Sequence, residues 1–220
     1  QEEYTPRLTG ALSFEEIARI PKPGSQGLGL IKFSPDDRFV TYLGSADPTS
    51  LTRQLFAFDR ETGETMQVLM AAPGSGEEAT FSREEQLRRE RARIMSTGVT
   101  AYQWADGANR LLIPKDGALF VQDGLTGGAA LRRLFDPDDA RWTDVGSGPI
   151  LDAKLSSDGS RVCFVWGDEI CSCVVSPSGG DASQPERLTF GAREAGITNG
   201  VADYCAQEEM NRYSGFWLSP

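Results

Sequence analysis

Histidine is absent from the 220 residues of this chain. Serine and cysteine nucleophiles of hydrolases are activated by an imidazole whose pKa lies near neutrality, so these residues contain no Ser-His-Asp or Cys-His triad. They also contain no G-x-S-x-G turn, no Walker A loop and no G-x-G-x-x-G motif after a strand. The chain by itself therefore carries neither a histidine-dependent hydrolytic site nor a nucleotide-binding loop.

Long apolar runs and clustered basic residues are also lacking. No run approaches the roughly 20 apolar residues of a membrane-spanning helix, and no apolar signal segment opens the chain. Acidic residues outnumber basic ones by 32 to 22, which gives a net charge of -10. Because nucleic-acid binding needs clustered lysine and arginine, we expect neither a nucleic-acid partner nor a membrane segment. The chain starts at Gln1, which leaves open a lost targeting segment.

The four cysteines include no C-x-x-C pair. Zinc sites combine cysteine with histidine or more cysteines at short spacings, so we expect no metal and no other cofactor. Cys171 and Cys173 would lie on one face of a strand. We interpret the four side chains as reduced, mostly buried thiols, which favours a cytoplasmic location.

Three segments share one pattern: an apolar strand, a polar turn, a second strand, a third strand and a glycine-containing turn. They begin with IKFSPDDRFVTYL at Ile31, AYQWADGANRLLIP at Ala101 and DAKLSSDGSRVCFV at Asp152. We align their turns on Asp36, Asp106 and Asp158. Repeats of about 40 to 50 residues with about four strands each are typical of β-propellers. The sequence therefore predicts an all-β fold, a partial β-propeller of about three to four blades of four-stranded antiparallel sheet. An antiparallel sandwich of unrelated hairpins is the alternative.

Two segments have helical patterns instead. Ser13 and Glu16 have the form of a capping box and predict a short packing helix. Residues 81–95, FSREEQLRRERARIM, predict an inserted arginine-rich helix with acidic residues at its start and arginines toward its end, which suits the helix dipole. Its composition favours a solvated helix with a narrow apolar stripe.

Two adjacent carboxylates, Glu208 and Glu209, stand between an apolar lead-in and an aromatic run near the end of the sequence. Asp203 is placed to cap a short helical turn, on which successive side chains point about 100° apart. Such a pair can converge on one ligand, whereas an isolated Glu-Glu pair is most often solvated surface.

The run VADYCAQEEMNRYSGFWLSP resembles the glutamate-pair motif of the dipeptidyl peptidase IV family, within the prolyl oligopeptidase superfamily. It is most similar to the dipeptidyl peptidase 8 and 9 branch and its bacterial relatives. The segment SREEQLRRERARIMSTGVTAYQW resembles the arginine-bearing helix of that branch, and DAKLSSDGSRVCFV and ERLTFG resemble its propeller strands.

The resemblance extends from about Leu28 to Pro220. It implies an N-terminal extension with a short helix over residues 1–27 and an incomplete N-terminal β-propeller over residues 28–220, with residues 81–95 as an inserted helix. The family's C-terminal α/β-hydrolase domain, which carries the triad, is not among these residues. We therefore expect no peptidase activity from this chain alone.

The resemblance also implies a serine-type dipeptidyl peptidase that releases Xaa-Pro or Xaa-Ala dipeptides from free N-termini. Glu208 and Glu209 match the paired glutamates that bind the substrate's α-ammonium group. Arg93 is the best match for the arginine that holds the substrate's backbone carbonyl, with Arg91 as the alternative.

The implied partners are a peptide N-terminus, the hydrolase domain and a second copy of the full-length protein in a homodimer. Trp217 is followed by Leu218, where the family usually has two tryptophans, and we expect this difference to alter packing only. The alternative function is a non-catalytic propeller that binds peptides or a protein partner.

Overall fold

Three antiparallel β-sheets, one after another along the chain, make up the fold. In a computed structural model of the chain, the structure describes residues 13–20, 27–47, 50–69, 89–91, 94–127, 130–142, 146–176 and 184–219. Each sheet contains four antiparallel strands that are consecutive in sequence and neighbours in space, and the first sheet has a short fifth strand in addition. The prediction of an all-β, propeller-like fold is confirmed, and the three sheets are called blades 1, 2 and 3 below.

The strand boundaries follow the three predicted units. Blade 1 comprises β1 (Gly29–Phe33), β2 (Phe39–Gly44), β3 (Thr52–Asp59) and β4 (Thr65–Leu69), with the short β5 (Thr97–Gly98) added in parallel to β3. Blade 2 comprises β6 (Gln103–Trp104), β7 (Arg110–Lys115), β8 (Ala118–Asp123) and β9 (Arg132–Phe135). Blade 3 comprises β10 (Leu151–Leu155), β11 (Arg161–Trp166), β12 (Glu169–Val174) and β13 (Glu186–Arg187).

The helices are short. Those whose bounds lie within the described residues are α1 (Phe14–Ala18), α2 (Ala192–Ala195) and α3 (Tyr204–Met210), with a 3-10 turn at Ala140–Trp142. Within the predicted inserted helix, residues 89–91 are helical, whereas 81–88 and 92–93 lie outside the described residues. No helix in the described part of the chain is long and apolar enough to cross a membrane.

The predicted N-terminal helix is present as α1, and the Ile17 amide donates to the Ser13 carbonyl at 3.1 Å. Its expected packing is not seen. Phe14 is 88% exposed and Ile17 is 58% exposed, so the apolar side chains of α1 are not buried against the described sheets.

A serine closes the turn between the first two strands of blades 1 and 3. The Ser34 hydroxyl accepts from the Phe39 amide at 2.9 Å, and the Ser156 hydroxyl accepts from the Arg161 amide at 3.0 Å. The Ser156 hydroxyl also donates to Asp158 at 2.6 Å. These hydrogen bonds join residues within the turn itself and do not depend on the rest of the blade. The same turn can therefore form in both blades.

Blade 2 makes the equivalent turn without the serine. The Ala105 amide donates to the Arg110 carbonyl at 2.9 Å, the same backbone pairing that Ser34 and Ser156 make. Gly107 therefore occupies the position of Asp36 in blade 1, and the alignment on Asp106 is wrong by one residue. Ala105 has no hydroxyl, so the serine–aspartate bond that Ser156 and Asp158 make in blade 3 has no counterpart in blade 2.

Side chains of β6 and the residue before it fasten blade 2 to both neighbours. The Tyr102 hydroxyl donates to the Thr41 carbonyl at 2.8 Å, and the Trp104 indole donates to the Thr41 hydroxyl at 2.9 Å. On the other side, the Gln103 amide donates to the Leu155 carbonyl at 3.3 Å and accepts from the Leu155 amide at 2.9 Å. We call these contacts the blade 1–2 seam and the blade 2–3 seam.

Apolar cores fill the space between successive blades. Between blades 2 and 3, the Phe135 ring packs at a tilt against Phe164, with ring centres 4.9 Å apart, and meets Trp166 edge-on at 5.1 Å. All three rings are at most 2% exposed. Burying a large apolar side chain contributes about 1.5–3 kcal/mol. The inter-blade cores therefore fix the blades relative to one another.

The cysteines are unbonded thiols, as expected. Cys171 and Cys173 are both buried in the core beside blade 3, on one face of β12, and burial raises their pKa values to about 11 and about 12. Cys163 is buried as well, while Cys205 is exposed on α3. The three buried thiols act as small apolar side chains.

Candidate functional site

The helix α3 carries Glu208 and Glu209 and is capped at both ends. The Asp203 carboxylate accepts from the Ala206 amide at 3.0 Å, as the sequence predicted. At the other end, Asn211 adopts the left-handed conformation with φ of 51°, and the chain turns back. Two caps within nine residues hold a helix that is too short to be stable by itself.

The chain on either side of α3 is closed into a loop. Val201 and Ser214 form an antiparallel bridge, and the Gly215 amide donates to the Gly200 carbonyl at 3.0 Å. A Cβ atom on Gly215 would lie 2.6 Å from the Gly200 carbonyl carbon, so only glycine allows this approach. The closed loop fixes where α3 begins and ends.

Lys154 of β10 ties this loop to blade 3. Its ammonium group donates to Asp152 at 2.7 Å and to the Phe216 carbonyl at 2.6 Å, and it also contacts the Ser214 hydroxyl. The same group lies 3.8 Å from the centre of the Phe216 ring. Phe216 in turn packs on Val165. The position of α3 is therefore set by the sheet and not by the loop alone.

Glu169 holds the segment that leads from blade 3 to α3. Its buried carboxylate accepts from the Thr189 hydroxyl at 2.7 Å, the Ala192 amide at 2.8 Å and the Asn199 side chain at 2.8 Å. The helix α2 has Gly191 at its N-cap and no side-chain cap of its own, so Glu169 supplies one. Burial raises the pKa of Glu169, but the three hydrogen bonds outweigh that effect and leave its pKa below the usual value.

Arg91 crosses from the insertion between blades 1 and 2 to one face of α3. Its guanidinium donates to the Gln207 side-chain oxygen at 3.1 Å and lies 3.9 Å from the Glu208 carboxylate. It also stacks over the Tyr204 ring, 5.1 Å from the centroid. Tyr204, Gln207 and Glu208 are spaced i, i+3 and i+4, which places all three on the face that Arg91 covers.

Glu209 lies one position further round the helix and is exposed. Among the described residues, no hydrogen bond or ion pair engages its carboxylate. Both glutamates are exposed, but only Glu208 has a described cation beside its carboxylate.

Of the two candidate arginines, the described residues include only Arg91, the alternative to Arg93. Arg91 contacts the glutamate helix, whereas Arg93 lies outside the described residues, and its role stays a prediction. Sequence reasoning missed Gln207 and Tyr204. Their helical spacing from Glu208 was the available signal, but it became informative only once Arg91 was found on that face.

A metal has no evident place in this arrangement. In the described ranges, no group of three or more histidine, cysteine, aspartate or glutamate side chains could hold a metal ion. The charged and amide side chains next to Arg91 on α3 include the Glu208 carboxylate and the Gln207 amide, with Glu209 one position further on, a set suited to binding a small cation with a hydrogen-bonding neighbour.

Four-stranded antiparallel blades in series, with a short carboxylate-bearing helix after the third, define a propeller-like protein whose candidate site lies on inserted segments. Residues 122–220 match the family model described as the dipeptidyl peptidase IV N-terminal region. Over that stretch, 99 of the 220 residues, the chain is similar to the N-terminal region of this family.

Dipeptidyl peptidase 8 of Homo sapiens and that of Mus musculus are each 29% identical to the chain over 150 residues. Each alignment covers 64% of this chain and 16% of the relative, so the chain matches only a small part of those proteins. An auxiliary nutrient binding protein from Bacteroides thetaiotaomicron aligns with a TM-score of 0.41 and 10% identity, over 79% of this chain and 34% of that structure.

Proposed function

We propose that this chain is the portion of a serine-type dipeptidyl peptidase that recognises the free N-terminus of peptide substrates. The observation that carries the proposal is that, of two adjacent carboxylates, only one has an arginine beside it among the described residues. Glu208 lies 3.9 Å from the Arg91 guanidinium, and the neighbouring Glu209 is exposed. The match of residues 122–220 to the dipeptidyl peptidase IV N-terminal region and the similarity to dipeptidyl peptidase 8 support the peptidase assignment.

The charges on α3 and Arg91 favour a monovalent cation. Glu208 and Glu209 together carry two negative charges, and Arg91 supplies one positive charge. The remaining single negative charge is balanced by one α-ammonium group. That group has a pKa of about 7.7–8.0, so it is mostly protonated at neutral pH and offers three donors.

Arg91 has a second use in this proposal. A guanidinium presents five N–H donors in a fixed plane, and the Gln207 contact occupies only one of its nitrogens. The remaining donors are available to the carbonyl oxygen that follows the substrate's first α-carbon. Holding both the ammonium and the carbonyl positions the N-terminal residue at a fixed distance from a serine of the hydrolase domain. Arg93 is the other candidate for the carbonyl contact.

Peptidase assays on the full-length protein with Gly-Pro and Ala-Pro reporters test this proposal. Glu208→Gln and Glu209→Gln should each lower kcat/KM by about 10- to 150-fold, because each removes a charged hydrogen-bond partner that contributes about 1.5–3 kcal/mol. Glu194→Gln is the matched control, since Glu194 is an exposed glutamate on the neighbouring helix α2. Unchanged kcat/KM in both site variants would refute the assignment of the site.

The second candidate function is a non-catalytic propeller that binds peptide N-termini. The matched part of the chain contains no histidine, so the residues that bind and the residues that react are necessarily separate. A full-length protein that cleaves no reporter, but binds a free-amine peptide with an affinity that Glu209→Gln reduces, would establish this alternative. An N-acetylated peptide, which lacks the cationic group, should bind neither to the wild type nor to Glu209→Gln.

A further inference from the structure

We infer that Gln207 is a positioning residue that holds the Arg91 guanidinium against α3 so that Glu209 stays open for the substrate's ammonium group. The inference rests on the proposed function of the glutamate pair and adds a residue to it. Gln207 touches no substrate in this scheme and acts through Arg91.

Both ends of the Gln207 amide are used. The side chain is buried, at 8% exposed. Its nitrogen donates to the Ala202 carbonyl at 2.7 Å, and its oxygen accepts from Arg91 Nη1 at 3.1 Å. The reversed amide would place two donors opposite the guanidinium, so the Ala202 contact fixes which end faces Arg91. The loop around α3 thus sets the direction of the amide, and the amide sets the position of the arginine.

Glu208 does not position the guanidinium in the same way. Its carboxylate is 3.9 Å from Arg91 Nε, which is an ion pair but too long for a hydrogen bond. The closer restraints on Arg91 are the Gln207 oxygen and the face of the Tyr204 ring. The hydrogen bond to Gln207 fixes the position of the guanidinium, and stacking on the Tyr204 ring fixes its plane.

An arginine without these restraints would behave differently. Arginine and carboxylate groups prefer to pair through two parallel N–H···O bonds. With Gln207 removed, Arg91 can rotate into such a pair with Glu208 or Glu209. Either pair would occupy carboxylate oxygens that the ammonium needs, so the expected defect is weaker binding of the free N-terminus.

A double-mutant cycle on the full-length protein tests the inference. The four proteins are wild type, Arg91→Met, Gln207→Met and the double variant. The probe is alanyl-pyrrolidide, which has an ammonium, a carbonyl and a five-membered ring but no scissile bond, and its Kd is measured by calorimetry. Gln207→Met should raise Kd about five- to tenfold in the wild-type background and by less than about twofold when Arg91 is already methionine. Equal effects in both backgrounds would overturn the inference.

Arg91→Lys provides a test that does not depend on a change in a buried side chain. Lysine keeps the positive charge beside Glu208 but lacks the planar fork that the Gln207 oxygen and the Tyr204 ring restrain. We expect it to bind the probe as weakly as Gln207→Met. Wild-type affinity in Arg91→Lys would show that charge alone is required and would sink the positioning role.

The failure of this inference can be told apart from the failure of the proposed function. If the cycle is additive while Glu209→Gln still weakens binding, Gln207 has no positioning role and the proposed function stands. If Glu209→Gln leaves Kd unchanged, the proposed function falls. In that case the Tm values of the same four proteins test whether Gln207 and Arg91 are coupled. Changes in Tm that add in the double variant would show that they are not.

Discussion

Glu169→Gln is a small change that should destabilise the segment leading to α3. The substitution keeps the size of the side chain, removes its charge and replaces one acceptor oxygen with a donor. Glu169 accepts three hydrogen bonds in a buried setting, from Thr189, the Ala192 amide and Asn199. Glutamine can accept from Thr189 and Asn199 with its oxygen, but its NH2 group then faces the Ala192 amide.

The expected cost follows from that geometry. One charge-assisted bond is lost, which costs about 1.5–3 kcal/mol, and two others become weaker neutral bonds. We expect a loss of about 3 kcal/mol in the free energy of unfolding. For a protein of this size that corresponds to a Tm about 6–12 °C lower. With a urea m-value of about 2–3 kcal/mol/M, the midpoint of unfolding should fall by about 1–1.5 M.

The pH dependence distinguishes the lost charge from a general packing defect. The pKa of folded Glu169 is held below its ordinary value of 4.5. Its stabilising effect is therefore complete above that value and is lost as the pH falls through the depressed pKa. The stability difference between wild type and Glu169→Gln should be constant from about pH 6 to 8 and should narrow below about pH 4.5.

Urea denaturation of wild type, Glu169→Gln and Glu64→Gln across this pH range is the assay. Glu64 is an exposed glutamate in blade 1, so its amide variant should unfold within about 0.5 kcal/mol of wild type. An unchanged midpoint in Glu169→Gln at pH 7, or a loss that persists undiminished at low pH, would show that the Glu169 carboxylate does not hold this segment.

Two further predictions concern the loop and its ligand. Gly200→Ala should lower the free energy of unfolding in urea by about 2–4 kcal/mol, because φ is +84° and the new Cβ would lie 2.7 Å from Ile170 Cγ1. The control is Gly63→Ala, where φ is +74° and a Cβ would have no atom within 4 Å. It should lower the free energy of unfolding by only about 1 kcal/mol. The affinity for alanyl-pyrrolidide should fall about tenfold per pH unit above about pH 8, because the ammonium group deprotonates. Glu209→Gln should make the affinity less dependent on pH. A Kd of the wild type that does not change with pH would contradict ammonium recognition.

The features that the sequence predicted are local ones. The three blades follow from alternating apolar residues and from turns whose hydrogen bonds join residues close in the chain, such as Ser34 and Phe39. The cap that Asp203 gives to α3 spans three residues, so it was also readable. The glutamate pair attracted notice because two charges between apolar and aromatic residues are unusual, and its role stays a prediction.

The features that were missed depend on contacts between distant residues. Glu169 reaches the Asn199 side chain and the α2 N-terminus after the chain has passed through the last strand of blade 3, and nothing near it in sequence indicates that role. Arg91 and Arg93 are only two residues apart in an arginine-rich segment, so composition could not indicate that Arg91 contacts Gln207. The blade 2 turn was misaligned because Asp106 has the same residue type as Asp36 and Asp158, whereas the structurally equivalent residue is Gly107.

The two seams have a consequence for how such a site changes over evolutionary time. Arg91 enters from the insertion that follows blade 1, and α3 follows blade 3, so the gap between them is spanned by the Thr41 contacts of Tyr102 and Trp104 and by the Gln103–Leu155 pair. A substitution in either seam would alter the pitch of one blade against the next. Residues in the seams, remote from α3, therefore help to set the distance between the Arg91 guanidinium and the carboxylates of α3.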